Sequence, residues 1–410
     1  MWKGKKLKMD IFSSKNFVRI SLVVIVFLAL TSITLGILYL RYPESAPTQA
    51  GGTNLPVLVP TIATGPLVAN PTTVNLVWFT YIPKEEDLRK VAENFNFYIL
   101  IQGNEDQRDL MIDYGAKGPF IQYLEFESIQ DPGSCADEPE INQVTAFVGD
   151  FCMIDEEHPD WFLLDTKGER IRLVDKDNIW YVMDPSNDEW RAFYLERIKL
   201  FQASDPNWSG VFLDNFPLTL AFREEDGDIP AKYPDDASYQ AANQGFLRYL
   251  DENYFSPNNK LLIGNFSSRN DDSDWTRHLT YLSGAMLEGW AIDRPDGYRP
   301  VKRWEEHMLL AEETQALGKT ILLVSRGDRN DYELQQFSFA SYLLINQGNA
   351  YFRYAHGSVY QEVWLYDNYA YNIGEPLGPR YKEGDAWRRD FSNGSVMVNP
   401  LTHDVEINIR

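Results

Sequence analysis

Eight short apolar runs, separated by amphipathic segments, constrain the fold of this chain more than any other feature of its sequence. Apolar runs of this length are typical of parallel strands covered on both faces, and the segments between them are typical of helices. Over residues 74–356 the alternation predicts an α/β fold, a (β/α)8 TIM barrel. The predicted strands are Leu76–Tyr81, Phe97–Gln102, Phe120–Phe126, a run from Gly210, Leu261–Phe266, a run that ends at Glu288, Thr320–Ser325 and Ala350–Tyr354.

Two segments do not fit the regular alternation of strands and helices. Residues 127–209 separate the third and fourth predicted strands and end in a helix that a capping pattern at Ser186 and Glu189 predicts. We therefore expect a long excursion between the third strand and the third barrel helix, lying over the carboxyl-terminal mouth of the barrel. Residues 357–410 predict a loop and a small β appendage with an Asn-Gly turn.

The amino-terminal part has the composition of a membrane anchor. Residues 1–19 are rich in Lys, residues 20–41 begin with 21 uncharged residues, and residues 42–73 predict a flexible linker rich in Pro, Thr, Ala and Gly. A basic flank that precedes the apolar segment predicts a single-pass protein of the cell membrane, with a cytoplasmic amino terminus and an extracytoplasmic folded domain. A cleaved signal peptide is the alternative, although its apolar region is normally shorter.

The two cysteines, Cys135 and Cys152, lie within the long excursion. In the oxidising compartment that the anchor predicts, a disulfide between them would close this part of the excursion. Two free, buried thiols are the alternative interpretation.

Charge and composition exclude several classes of partner. The net charge of −22 argues against a nucleic-acid backbone and against anionic lipid as a partner of the folded part, so membrane contact is expected only through the amino-terminal helix. The spacing of the five histidines predicts no metal site, and no glycine-rich fingerprint for a dinucleotide is present, so we expect no cofactor. An aromatic content of 14% suits a carbohydrate cleft as well as a core.

Two acidic residues stand at the ends of apolar strands. The fourth strand is expected to end at Asp214-Asn215, before Pro217 turns the chain away, and the sixth ends at Glu288. Alternation along each strand then directs Asp214, with Phe212, and Glu288, with Met286, into the barrel. Carboxylates that converge at this end of a barrel can act as a catalytic pair. The structural alternatives are a turn residue for Asp214 and an ion pair for Glu288.

Further polar and aromatic residues are predicted near the same mouth. They would bind sugar hydroxyls or stack on sugar rings, although core packing is the better explanation for any single aromatic residue. Asp184, in an Asp-Pro-Ser sequence, fits a helix cap as well as a substrate ligand. The candidate substrate-binding residues are Trp78, Tyr123, Glu125, Trp180, Asp184, Asn215, Asn265, Trp290, Arg326 and Arg353.

Three motifs together resemble the hypothetical glycosyl hydrolase family 15: Leu213-Asp214-Asn215, the segment from Met183 to Arg191, and the closing hairpin that ends at Asn399-Pro400. The resemblance covers about residues 75–410 and extends more distantly to the α-galactosidase clan and to endo-α-1,4-polygalactosaminidase-like enzymes. It implies a barrel glycosidase in which Asp214 is the nucleophile and Glu288 the acid/base, with retention of configuration. The clan usually has Asp where this chain has Glu288.

These observations predict a glycoside hydrolase that acts on a polysaccharide or glycoconjugate outside the cytoplasm through two carboxylates. A catalytically inactive carbohydrate-binding surface protein on the same barrel is the main alternative, because a fold does not fix a function. A scaffold that binds a protein partner at the aromatic mouth is a second alternative, and it would present a flat apolar patch.

Overall fold

The computed structural model describes residues 74–176, 178–203, 205–267, 275–293 and 297–410. The predicted anchor and linker lie outside these residues. Within the described ranges, no helix has the length and apolar composition needed to cross a bilayer.

Strands and helices alternate along the described chain. The strands are β1 (Val77–Phe79), β2 (Phe97–Leu100), β3 (Phe120–Glu125), β4 (Ser128–Asp131), β5 (Arg172–Asp175), β6 (Asn178–Val182), β7 (Gly210–Pro217), β8 (Leu261–Ser267), β9 (Gly284–Glu288), β10 (Ile292–Asp293), β11 (Gly297–Tyr298), β12 (Thr320–Arg326), β13 (Ala350–Ala355), β14 (Tyr381–Glu383), β15 (Ala386–Phe391), β16 (Gly394–Val398) and β17 (Val405–Ile409). The α-helices are α1 (Leu88–Asn94), α2 (Glu105–Asp113), α3 (Asp150–Glu157), α4 (Asp188–Ala203), α5 (Ala221–Asp226), α6 (Asp236–Leu250), α7 (Trp275–His278), α8 (Val301–Ala316) and α9 (Tyr332–Ile345).

The predicted barrel is present. Eight parallel strands form one sheet in the order β1-β2-β3-β7-β8-β9-β12-β13. Leu76 bridges Phe352, and the Phe352 amide donates to the Asn75 carbonyl over 2.8 Å, so the first and last strands meet. All eight predicted strands are confirmed, and every loop that follows a strand's carboxyl end opens on the same face.

The inside of the barrel follows the expected alternation. Phe212 and Met286 belong to the interior cluster, whereas Val211 and Leu213 pack on the helix side. Glycine begins both β7 and β9, and a Cβ atom added at Gly210 would lie 2.0 Å from the carbonyl oxygen of Leu261. Strand parity therefore directs Asp214 and Glu288 toward the barrel axis, as predicted.

The excursion after β3 has its own small sheet. Strands β4, β6 and β5 pair antiparallel, and α3 packs beside them. The disulfide Cys135–Cys152 joins the loop after β4 to α3, which confirms that prediction. The helix after the excursion, α4, is also present. Its first amides are capped by the side chain of Asn187 and not by Ser186, whose hydroxyl donates to Asp184 instead.

The carboxyl-terminal appendage is a four-stranded antiparallel sheet, β14-β15-β16-β17. Arg389 from β15 donates to three carbonyls at the end of α9, where unpaired helix carbonyls need donors. Arg380 forms a two-pronged ion pair with Glu312 on α8, over 2.9 and 3.0 Å. The appendage therefore docks on the helices that follow β11 and β12, outside the barrel mouth.

Candidate active site

Three consecutive barrel strands place polar side chains over the axis. Asp214 comes from β7, Asn265 from β8 and Glu288 from β9. The Nδ2 atom of Asn265 donates to Asp214 Oδ1 over 2.8 Å and lies 3.3 Å from Glu288 Oε2. One amide nitrogen thus contacts both carboxylates, which brings Asp214 and Glu288 together as predicted.

Each carboxylate has further donors of its own. The hydroxyl of Tyr123 on β3 donates to Asp214 Oδ2. Glu288 Oε1 accepts from Arg326 Nη1 on β12 over 3.2 Å and from the hydroxyl of Tyr360 over 2.5 Å. These side chains come from different strands and loops, so the surrounding barrel fixes the orientation of both carboxylates.

A bulge follows Asp214. The pairing of β7 with β8 shifts between Leu213 and Phe216, and Asn215 has a φ of 52°. Asparagine tolerates this left-handed backbone better than most residues. The strand therefore does not stop at Asp214-Asn215, as expected from the sequence, but continues to Pro217. In this conformation Asn215 Nδ2 donates to Glu125 Oε2 over 2.7 Å.

A third carboxyl group, that of Glu125, lies beside Asp214 in the strand register. It is only 6% exposed, and besides Asn215 it contacts Ser128 Oγ at 3.5 Å. Burial, reinforced by the charge of Asp214, raises the pKa of Glu125 to about 8. Glu125 is therefore mostly protonated and neutral at pH 7.

Burial also raises the pKa of Asp214. The hydrogen bond from Tyr123 opposes this shift, the negative charge of Glu288 adds to it, and the hydrogen bond from Asn265 opposes it. Burial and the charge of Glu288 thus favour the protonated form of Asp214, whereas the hydrogen bonds from Tyr123 and Asn265 favour the ionised form that a nucleophile needs.

The substitution Glu125→Gln is expected to flatten the pH dependence of stability. Because the folded-state pKa of Glu125 lies above its ordinary 4.5, the folded protein binds more protons than the unfolded chain between about pH 4.5 and 8. The free energy of unfolding should therefore fall as pH rises through this window in the wild type. Glutamine removes this contribution and should raise Tm at pH 8, by roughly 1–2 °C for each kcal/mol gained in a folded domain of this size.

Thermal unfolding from pH 5 to pH 8 measures this effect. Glu196→Gln, on the exposed side of α4, is the matched control and should leave the slope of the wild type unchanged. Equal slopes for wild type and Glu125→Gln would contradict the predicted protonation of Glu125.

A cavity of about 210 Å³ opens above the two carboxylates. Asp214, Glu288, Tyr123 and Tyr360 line it together with residues from the loop after β1. A further wall comes from the excursion, whose residues 140–142 face the same space. Aromatic and apolar side chains with a few converging polar groups are the usual lining of a small-molecule site.

The excursion wall is fastened at two places. The carbonyl of Asn142 accepts from the amide of Glu125 over 2.7 Å, which ties the wall to β3. The amide of Glu140 donates to the side chain of Gln130 over 2.8 Å. The disulfide Cys135–Cys152 closes the loop that contains this wall.

Removing the disulfide with Cys135→Ser and Cys152→Ser is expected to loosen this wall. Without the cross-link, the loop that carries residues 140–142 loses its covalent tie to α3. The unfolded chain also regains loop entropy, which lowers the stability of the fold by about 2–4 kcal/mol. We expect KM to rise several-fold while kcat changes little, since the two carboxylates stand on barrel strands. Steady-state kinetics with and without dithiothreitol measures this, and the double variant should not respond to the reductant. An unchanged KM would show that the wall does not contact substrate.

Several residues predicted to bind substrate lie elsewhere. Trp78 and Trp290 are fully buried in the layer between the barrel strands and the surrounding helices, so neither can stack on a sugar in this conformation. Arg353 is also buried: it lies against Trp78, 4.1 Å from the ring centre, and donates to the carbonyls of Phe79 and Tyr360. These three predictions are corrected because the side chains have no surface that a ligand could reach.

Four more of the predicted substrate-binding residues do not line the cavity. Asp184 is buried and accepts from Lys232 over 2.6 Å and from Tyr233, so it fastens the loop before α6 to the excursion. Asn215 and Glu125 bond to each other behind Asp214. Trp180 lies half-exposed in β6, in the middle of the excursion sheet.

Tyr123, Asn265 and Arg326 contact the two carboxylates, and substrate binding by these residues stays a prediction. Sequence reasoning missed Tyr360; it placed the excursion over the barrel mouth but did not identify residues 140–142 as the part that lines the cavity. Tyr360 follows β13 within a loop rich in tyrosine, and no local pattern distinguishes it from its neighbours. Within the described ranges no three His, Cys, Asp or Glu side chains are placed to hold a metal ion.

The family model described as hypothetical glycosyl hydrolase family 15 matches residues 137–395, a range that includes Asp214, Asn265 and Glu288. No curated protein matches the chain.

Several solved structures are similar to the chain. The glycoside hydrolase domain of PelA from Pseudomonas aeruginosa is 14% identical, with a TM-score of 0.46, and the match covers 71% of this chain and 97% of that one. A GH31 dextranase from Flavobacterium johnsoniae, in complex with glucose, is 10% identical over 73% of this chain and 38% of that one, with a TM-score of 0.46. An alpha-N-acetylgalactosaminidase from Bifidobacterium bifidum is 10% identical over 83% and 58%, also with a TM-score of 0.46.

Proposed function

The chain belongs to hypothetical glycosyl hydrolase family 15, and we propose that it hydrolyses a polysaccharide or glycoconjugate with Asp214 and Glu288 as its catalytic carboxylates. The observation that carries this proposal is the shared cavity: both carboxylates line it, and both contact the same amide of Asn265. Hydrolysis of a glycosidic bond needs one carboxyl group on each side of that bond.

In this mechanism Asp214 attacks the anomeric carbon and Glu288 protonates the leaving oxygen. Tyr123 and Asn265 orient the Asp214 carboxylate by hydrogen bonds. Both donors are neutral, so they do not neutralise the negative charge with which Asp214 attacks. Glu288 then activates the water that releases the sugar, with Arg326 and Tyr360 fixing its orientation. A carboxyl group must give and take a proton for these two steps, which is general acid–base catalysis.

The proposal includes retention of configuration. Asp214 Oδ1 and Glu288 Oε2 both contact Asn265 Nδ2, over 2.8 and 3.3 Å. The distance between these two oxygens therefore cannot exceed the sum of those two distances. Retaining enzymes have carboxyl groups about 5–5.5 Å apart, whereas inverting enzymes need about 6.5–9.5 Å to admit a water molecule. The contact of both carboxylates with one amide is compatible with the closely spaced arrangement that retention requires.

We also propose that the enzyme works outside the cytoplasm and is held at the membrane by residues 20–41. The disulfide Cys135–Cys152 supports an oxidising compartment. The charge order of the amino terminus supports an outward-facing barrel.

The function is tested by incubating the purified full-length chain with a panel of polysaccharides and aryl glycosides. The matched control is the double variant Asp214→Asn, Glu288→Gln. Release of reducing ends by the wild type and not by the double variant is the expected result. Binding without hydrolysis by both proteins would favour the inactive carbohydrate-binding alternative.

A further inference from the structure

A second cleft, of about 360 Å³, lies outside the catalytic cavity. It runs between the start of α9 and the loop that follows β13. Neither Asp214 nor Glu288 lines it, so the mechanism proposed above does not use it.

Two aromatic rings stand exposed at this cleft. Tyr332 is 64% exposed, more than any other aromatic residue that the structure describes, and Tyr371 is 36% exposed. The ring of Tyr332 packs edge-on against Tyr366 at 6.1 Å, and the hydroxyl of Tyr366 donates to the carbonyl of Arg329 over 2.9 Å. Tyr332 therefore exposes an apolar ring face, and the hydrogen-bonded ring of Tyr366 supports it from the side.

Polar groups lie around these rings. The side-chain amides of Gln335 and Asn368 bond to each other over 3.2 and 2.9 Å, which fixes the loop to the helix. Exposed Arg329, Gln336 and Asp367 complete the lining with donors and acceptors. A pyranose ring has the matching chemistry, since its faces are apolar and its edges carry hydroxyl groups.

The cleft and the catalytic site draw on the same two neighbouring parts of the chain, the end of β12 with the residues after it and the loop after β13. Arg326, the last residue of β12, contacts Glu288, and Arg329, three residues later in the loop after β12, lines the cleft. The loop after β13 supplies Tyr360 to Glu288 and then Trp364 to the cleft. Both sites therefore open on the carboxyl-terminal face of the barrel, where one polymer could contact both.

We propose that this cleft is a secondary carbohydrate-binding site, in which Tyr332 and Tyr371 stack on pyranose rings of the polysaccharide. The inference rests on the proposed function for the class of ligand, but it needs no hydrolysis at the cleft. The role of the cleft is to hold a long polysaccharide on the enzyme while the catalytic cavity acts on one glycosidic bond. Small substrates that fill only the cavity do not use it.

Affinity gel electrophoresis of the full-length chain tests the proposal, with dextran, soluble starch, xylan and glycol chitosan as the immobile probes. We expect at least one polymer to retard the wild type, and Tyr332→Ala with Tyr371→Ala to weaken this binding about 2- to 10-fold. Tyr332→Phe should retain most of it, because the stacking face remains. Tyr381→Ala removes a tyrosine from β14 whose exposure, 43%, lies between those of Tyr332 and Tyr371, and it should change nothing.

Asp214→Asn separates this inference from the proposed function. Retardation that survives Asp214→Asn but is lost in the Tyr332→Ala, Tyr371→Ala variant supports the cleft, even if no hydrolysis is found. Retardation that the tyrosine variant leaves unchanged, or no retardation by any of the four polymers, would overturn it. On an aryl monoglycoside the tyrosine variant should keep the wild-type kcat and KM.

Discussion

Asp214→Asn is expected to lower kcat by roughly 10³-fold or more, equivalent to about 4 kcal/mol of lost transition-state stabilisation. Asparagine keeps the shape of the side chain but cannot attack the anomeric carbon as a carboxylate does. It also faces Tyr123 and Asn265, both of which donate to the carboxylate in the wild type. Initial rates on the best substrate from the screen measure the loss.

The control for this substitution is Asp390→Asn in the appendage. Asp390 also accepts a hydrogen bond from a tyrosine, Tyr381, over 2.7 Å, and it stands on β15. Its substitution should leave kcat unchanged. Because burial raises the pKa of Asp214, removing that carboxylate should not lower Tm. A loss of activity that tracks a loss of folded protein would speak against a chemical role for Asp214.

Glu288→Gln is expected to produce a loss that depends on the leaving group. A poor leaving group, such as a sugar hydroxyl, needs a proton from the acid, and its hydrolysis should slow about 10²- to 10⁴-fold. A dinitrophenyl glycoside leaves without protonation, so its first step should slow far less. Kinetics on a series of aryl glycosides with different leaving groups measures this dependence.

Glu312→Gln is the matched control, because Glu312 is also paired with an arginine, Arg380, but lies on α8. It should affect all leaving groups equally and weakly. A uniform loss across the series in Glu288→Gln would assign Glu288 a binding role in place of the acid/base role.

The alternation of side chains along each β-strand explains why the positions of the two carboxylates could be predicted. Apolar residues continue up to Asp214 and Glu288, so counting along each strand placed both carboxylates on the barrel side. The same count excludes Trp78, because its neighbours Val77 and Phe79 occupy the interior. The prediction of Trp78 as a ligand overlooked this alternation.

Contacts between distant segments could not be read from local patterns. Tyr360 reaches Glu288 across 72 positions in the sequence, and residues 140–142 reach the cavity only because the excursion folds back onto β3. The bulge at Asn215 depends on its partner strand, β8, which sequence alone does not supply. Nor do local patterns show that Arg353 is covered by the loop that carries Tyr360.

The most direct test of the catalytic pair is the product that Asp214→Ala forms in the presence of azide. The small anion can enter the space that the carboxylate leaves and attack an activated aryl glycoside from the face opposite to the leaving group. If Asp214 is the nucleophile, azide should restore turnover, and NMR should show a glycosyl azide of inverted anomeric configuration. A glycosyl azide of retained configuration from this variant, or the inverted product from Glu288→Ala instead, would contradict the assignment.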